Sequence, residues 1–394
     1  MINKNFILKS AYLLICLYVI LVLIDIILPR APKILKKSYS ESQKIIQIRQ
    51  KEDKKNILKD KDKYYPMIYT QDYNLYPLSK IVKNMDIIPL GTLPHKNITL
   101  CSEGYGLVKI KTDRFGFRNE NKVWSSKNIN TVIIGDSFVE GQCLQEKYTF
   151  VSLLKKNTSD SIIRLSQGGY SAAHYAFLSK IFLPVIKPKN VIMVFYENDN
   201  DIIDLDEFHY KFFLEKNIED YISFKNSEPH PSKKINYFNN KIQDFFQKKI
   251  HGSKPDSFEI VTNFFTRFSK LKKYLRLTNI KKNFFLLTNP KKLIGSTPVA
   301  IDTLISTCKV TKCKTYFVLI RGSDFWDPYP KLHYANYKDS IQLHLNKYGK
   351  KLITFDNNEI DYLDKKYFSP KGPHHSIESN KIIAKKLYQI IKSN

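Results

Sequence analysis

Cysteine is scarce, with five in 394 residues, and no pair has the C-x-x-C spacing of a zinc or redox site. Lys-Val-Thr-Lys separates Cys308 from Cys313. Asn198-Asp199-Asn200-Asp201 lacks the central glycine and terminal glutamate of an EF-hand loop and reads as a turn. His374-His375 has no spaced partner set for a paired-histidine metal site. Neither a metal nor a cofactor is expected. Acidic residues are also few, 37 against 64 Lys and Arg, which leaves a formal net charge of +27. A basic surface is the electrostatic footprint of nucleic-acid binding. Here the lysines run along the whole chain, and no recognition motif or basic heptad helix accompanies them. The charge therefore reads as compositional bias, useful near anionic lipid or acidic polysaccharide, and no nucleic-acid partner is expected.

Glycine is absent from residues 1 to 90. Within that region Phe6 to Leu28 is apolar and long enough to cross a bilayer, broken only by Lys9, Ser10 and Asp25. Pro29-Arg30-Ala31-Pro32-Lys33 offers no small-residue cleavage site, which favours an uncleaved single-pass anchor over a signal peptide. Ser38 to Lys63 is rich in lysine, glutamate and aspartate, and predicts a solvated helix or stalk. Tyr64 to Ile98 reads as an irregular approach, so 30–98 forms a basic stalk and approach segment. Cys16 falls in the anchor. The other four, Cys101, Cys143, Cys308 and Cys313, suit either two disulfides in an oxidising compartment or four buried thiols.

The remainder, 99–394, has ample apolar content for a packed core, the whole chain being 43% hydrophobic and 13% aromatic. Thr131-Val132-Ile133-Ile134 is a short β-branched run bounded by Gly135, the pattern of a parallel strand covered on both faces. Gly135 permits a sharp turn, and Ser137 then lands beyond the strand's carboxyl end, where open α/β sheets bind ligands. Ile162 to Ser166 leads into Gly168-Gly169, and Val191 to Tyr196 leads into Glu197-Asn198-Asp199. Thr315 to Ile320 and Lys351 to Asp356 read as further strands, and His374-His375-Ser376 precedes a helical pattern from Asn380 to Leu387. Such alternation predicts a doubly wound parallel α/β sheet with helices on both faces. Residues 205–296 turn basic and aromatic, with Phe245-Phe246, Phe264-Phe265 and Phe284-Phe285, and read as an inserted helical cap. Each polar position also has a plain structural reading: Ser137 as a helix N-cap, Gly168-Gly169 as a tight turn, the histidines as surface residues.

Taken in order, these patches resemble the blocks of the SGNH (GDSL-type) hydrolases, over roughly residues 105 to 390. The resemblance implies a three-layer sandwich in which Ser137 is the nucleophile and His374 the catalytic histidine. Gly169 and Asn198 would form the oxyanion hole, although Tyr196 stands where the family usually has glycine. Asp113-Arg114-Phe115-Gly116-Phe117-Arg118 is similar to a D-x-x-G-F-R segment of membrane-linked members. The family's aspartate, three residues before the histidine, is Lys371 here, and Ser369 to Pro373 holds no carboxylate. Asp361 and Asp364 lie upstream, and the third triad member stays unassigned. Acyl transfer at neutral pH needs a hydroxyl whose proton passes to an imidazole, with donors aimed at the developing oxyanion. Lys4 and Lys9 against Arg30, Lys33, Lys36 and Lys37 would place the domain in the cytoplasm by the positive-inside rule. The resemblance implies instead an extracytoplasmic domain. It also implies an esterase or O-acyltransferase acting on acetyl esters of envelope polysaccharide. The alternative, kept open by Lys371, is a catalytically impaired protein of the same fold that binds carbohydrate or a partner.

Overall fold

The structure, a computed structural model, describes residues 4–27, 37–59, 64–67, 90–158, 161–200, 222–225, 228–231, 296–326 and 330–393, with single positions between 233 and 280. Helix α1 (Lys4–Ile27) is followed by α2 (Lys37–Lys59), and then by a three-stranded sheet of β1 (Tyr65–Pro66), β2 (Asn97–Thr99) and β3 (Lys109–Lys111). The β2–β3 pair is an antiparallel hairpin. Next come β4 (Thr131–Gly135), the short α3 (Ser137–Glu140), α4 (Phe150–Thr158), β5 (Ile162–Ser166), α5 (Ala172–Ile186) and β6 (Asn190–Tyr196). A small hairpin, β7 (Ile222–Lys225) with β8 (Glu228–Pro231), precedes α6 (Thr297–Thr311), β9 (Lys314–Ile320), α7 (Pro330–Asn346), β10 (Leu352–Ile353) and α8 (Ile377–Lys392).

Five of these strands form one parallel sheet in the order β10-β9-β6-β4-β5. Every residue of β4 and β5 is buried, as their β-branched runs require of strands covered on both faces. Alternation then sorts the side chains. Val132, Ile134, Met193 and Phe195 face a core closed by α5, α6 and α7, whereas Ile133, Ile192, Val194 and Val318 face a second core under α4 and α8. Each aliphatic side chain so buried is worth about 1.5–3 kcal/mol. The result is the expected α/β arrangement of a parallel sheet between two helical layers. After β5 the chain returns to the other side of β4, so the strand order reverses between β4 and β6. A crevice opens at the carboxyl ends of strands at such a reversal.

Among the described residues, α1 is the one helix long and apolar enough to cross a membrane, with a mean hydropathy of 2.6 over Lys9–Ile27. Helix α2 differs from a solvated stalk along one stripe. Ser42, Arg49 and Asp53 are buried, and Ile45 and Ile46 pack on the second core. These positions recur every three or four residues and share one helix face, while Lys44, Lys51, Lys54 and Lys55 are exposed. Two disulfides are present, Cys101–Cys143 and Cys308–Cys313. Most of 205–296, including the three phenylalanine pairs, lies outside the described residues.

Candidate active site

Ser137 is set by the end of β4. A Cβ on Gly135 would lie 2.3 Å from Val139 Cγ2 and 3.1 Å from the Val194 carbonyl oxygen, so glycine is what lets α3 pack this closely on the end of β4. Asp136, rather than Ser137, is the N-cap of α3, its Oδ1 accepting the Phe138 N–H at 3.0 Å. The serine hydroxyl is thereby left for other partners, and His374 Nε2 meets Ser137 Oγ at 2.9 Å. The histidine stands before α8, where Ser369 N donates to its carbonyl at 2.8 Å. Phe138 packs against His374 and stacks on Tyr196, with ring centroids 5.0 and 4.2 Å apart. Tyr196 thus backs the Phe138 ring that the imidazole packs against. A glycine at 322 is its counterpart, since a Cβ there would lie 2.2 Å from the Tyr196 hydroxyl.

The other face of the imidazole meets a carboxylate that no motif signalled. His374 Nδ1 lies 2.8 Å from Glu103 Oε1, and the His374 backbone N–H donates to Oε2 at 3.3 Å. A carboxylate on Nδ1 fixes that nitrogen as the protonated one, leaving Nε2 to accept from Ser137. Glu103 occupies the tip of the β2–β3 hairpin, where Tyr105 N donates to the Ser102 carbonyl at 2.9 Å. Glu103 and Gly104, the central pair of the Ser102–Tyr105 turn, have φ of +41° and +97°, both left-handed. A non-glycine residue there is uncommon, and such strain gathers at functional sites.

The Glu103 tip is held in place from several sides. The Cys101–Cys143 disulfide ties the hairpin to the loop after α3. Arg49 Nη1 donates to Glu103 Oε1 at 3.0 Å. Lys371 N donates to the Glu103 carbonyl at 3.1 Å. A Cβ on Gly372 would lie 1.9 Å from the Glu103 carboxyl carbon, so the 371–372 backbone runs directly against the acid. At the position of the family's aspartate, then, the main chain abuts Glu103, and the Lys371 side chain turns away to Glu52 at 3.5 Å. Asp361 and Asp364 spend their carboxylates on local turns, accepting from Leu363 N and Lys366 N, each at 2.9 Å.

Burial opposes charge on both partners, and their mutual attraction prevails. Desolvation alone would raise the Glu103 pKa, yet the charge and hydrogen bond of His374, then Arg49, hold it below its ordinary value. Desolvation likewise pulls His374 down, but Glu103 outweighs it and the net shift is upward. His375 differs: burial pushes it down to about 4, and its Nε2 donates to the Arg321 carbonyl at 2.8 Å, a structural role for a neutral ring.

The D-R-F-G-F-R segment is scaffolding for the serine loop. Asp113 accepts from Phe115 N, Phe117 N, Asn119 Nδ2 and Trp124 Nε1, all at 2.9 Å, although burial raises its pKa to about 6. Arg118 donates to the carbonyls of Glu140, Gly141 and Leu144 at 3.2, 2.8 and 2.8 Å, satisfying acceptors that α3 leaves open at its end. Glu140 in turn accepts the Gly168 N–H at 2.9 Å, linking the serine helix to the glycine loop after β5. Gly169 follows, exposed and at φ +78°. The backbone of Asn198 lies in the turn Glu197–Asn200 after β6, and its side chain lies outside the described residues. The turn is anchored by Asp199, which accepts from Tyr196 N at 2.8 Å and from the Tyr175 hydroxyl at 2.9 Å.

Glu103, Cys143 and His374 place ligand-type atoms within 4.8 Å of one another, but the Cys143 sulfur is in a disulfide and cannot ligate as a thiolate. What the cluster can do is acid–base chemistry on a hydroxyl: a carboxylate, an imidazole and a serine form one hydrogen-bonded line. No protein-family model and no curated protein matches the chain. Among solved structures, the crystal structure of TesA is similar, at 10% sequence identity and a TM-score of 0.38, covering 67% of this chain and 98% of that one. That likeness is too slight to bear on chemistry, and the functional reading stands on the site.

Proposed function

We propose that the protein is a serine esterase or O-acyltransferase working through a Ser137 acyl-enzyme. The observation that carries this is the line Glu103–His374–Ser137, with links of 2.8 and 2.9 Å. His374 Nε2 takes the hydroxyl proton as Oγ attacks the acyl carbon, and later returns it to the departing alkoxide. Glu103 holds the imidazole in the needed tautomer and stabilises the imidazolium. The Ser137 and Gly169 N–H groups, with the Asn198 amide, are the proposed oxyanion donors. Water attacking the acyl-enzyme gives an esterase, and a sugar hydroxyl gives a transferase.

The acyl group is proposed to be acetyl and the carrier an envelope polysaccharide, on the strength of the SGNH resemblance. The α1 helix would anchor the chain, with the domain on the extracytoplasmic side. Two disulfides support that side, because such bonds persist in oxidising compartments. The impaired-protein alternative drew its support from Lys371, and a carboxylate on His374 from another loop removes that reason. The test uses the full chain in detergent micelles, following acetyl-ester hydrolysis and fluorophosphonate labelling in wild type, Ser137→Ala and His374→Ala. Turnover and labelling lost in both variants supports the proposal. Equal background in all three contradicts it.

A further inference from the structure

Helix α2 takes no part in the acyl-transfer scheme, yet its buried polar stripe is directed at the acid of that scheme. Arg49 is 8% exposed, and its Nη1 reaches the same Glu103 oxygen that His374 Nδ1 reaches. One turn on, Asp53 lies 3.8 Å from Arg49 Nε and accepts the Ser102 N–H at 3.3 Å, so two successive α2 residues grip the hairpin tip. Glu52 on the outer side pairs with Lys371 at 3.5 Å, touching the loop that carries His374. Burying a guanidinium costs several kcal/mol unless its partners are well placed, and an apolar residue would dock a helix without that cost. The charge therefore answers a need beyond docking.

We propose that Arg49 is a positioning residue that keeps Glu103 ionised and turned toward His374, so that the helix following the membrane segment completes the active site. This inference rests on the Ser–His–Glu reading above. The charged groups around the imidazole are Glu103 and Asp136, which raise its pKa, and Arg49, which lowers it, with Glu140 and His375 nearby. Around Glu103 stand His374 and Arg49. Removing the guanidinium frees the Glu103 carboxyl to turn away from the imidazole or to take a proton. Glu103 raises the His374 pKa more than Arg49 lowers it, so the His374 pKa then falls, and activity that needs a neutral imidazole appears at lower pH. A helix that merely packed would leave this limb where it is.

The experiment compares wild type, Arg49→Gln and Arg49→Lys as full chains in detergent micelles. It records kcat and KM for an acetyl ester across pH, and titrates the His374 imidazole by NMR with carbon-13-labelled histidine. Arg49→Gln is expected to lower kcat by about tenfold to 10²-fold with KM little changed, since a misplaced acid acts on orientation. Its His374 midpoint and the acid limb of kcat/KM should move together to lower pH, because the displaced acid no longer raises the imidazole. Arg49→Lys should leave both in place and recover part of kcat. An unmoved His374 midpoint in Arg49→Gln overturns the proposal. Should that variant fail to fold, wild-type kcat in Arg49→Lys overturns it, because one ammonium cannot reproduce the guanidinium fork. The imidazole titration does not depend on turnover. A chain with no esterase activity but a shifted midpoint would defeat the enzymatic reading and leave the Arg49–His374 coupling standing.

Discussion

The two sides of the imidazole are built by different means. Ser137 is held by the sheet: an entirely buried β4, a glycine squeezed between Val139 and Val194, an aspartate cap, and arginines on the carbonyls that close α3. Glu103 stands outside the sheet on a hairpin tip, fixed by one disulfide, one guanidinium and a stretch of loop backbone. The serine side draws on many small burial terms that cannot be withdrawn without unfolding the domain. The acid side draws on a few polar links that can be withdrawn one at a time. Catalysis should therefore be separable from folding on the Glu103 side, and this contrast is open to direct attack.

The largest effect is expected from Ser137→Ala, which should bring acetyl-ester turnover down about 10⁴-fold or more, to background, with the melting temperature unchanged. Glu103→Gln should follow, lowering kcat about 10²–10⁴-fold by losing the acceptor that sets the imidazole tautomer. Lys371→Ala, at the position where the family carries its aspartate, should leave kcat within about twofold of wild type, as exposed substitutions generally do. Gly372→Ala pushes a methyl into the Glu103 carboxyl, and should cost about tenfold to 10²-fold in kcat by displacing the acid. Kinetics across the last three of these variants would show whether the acid comes from the hairpin or from the histidine loop.

Two smaller effects separate the regions further. Replacing Cys101 and Cys143 by serine opens a loop of 42 residues' separation, which should lower stability by about 3–4 kcal/mol and lower kcat as well. Losing the Cys308–Cys313 link, whose partners are five residues apart, should cost less stability and leave kcat untouched. Denaturant titration beside turnover measures both. The acid limb of kcat/KM should lie above pH 6.5, the ordinary histidine value, because Glu103 raises the His374 pKa. In Glu103→Gln it should fall to lower pH, since burial then acts unopposed by that charge. Stability carries opposite signs for the pair. Glu103, shifted down, contributes above about pH 4.5, and that contribution is lost as pH falls through its folded value. His374, shifted up, contributes below about pH 6.5 and loses that contribution as pH rises through its folded value.

Much of the serine side was legible in the sequence because its signals are local. A β-branched run, a glycine and a serine announce a buried strand and a turn, and a histidine before an amphipathic helix is likewise a short-range pattern. Glu103 gave no such signal. Its link to His374 depends on a disulfide and a helix that bring distant segments together, and the sequence left the pairing of the four cysteines open. One faint cue existed: Glu103-Gly104, between Asn97–Thr99 and Lys109–Lys111, suits the centre of a turn. In α2 the lysines dominated the composition and masked the stripe Ser42, Ile45, Ile46, Arg49 and Asp53, whose helical spacing marks a docked face. The lack of a carboxylate from Ser369 to Pro373 was visible, but the carboxylate that meets His374 lies on another loop.

If Glu103 acts on Ser137 through His374, the two residues should be coupled in a double-variant cycle. Acetyl-ester turnover would be measured in wild type, Glu103→Gln, His374→Ala and the double variant. Residues that act as a unit are strongly non-additive. Glu103→Gln, costly in the wild-type background, should change turnover less than about twofold once His374 is gone. The same loss in both backgrounds would contradict that coupling.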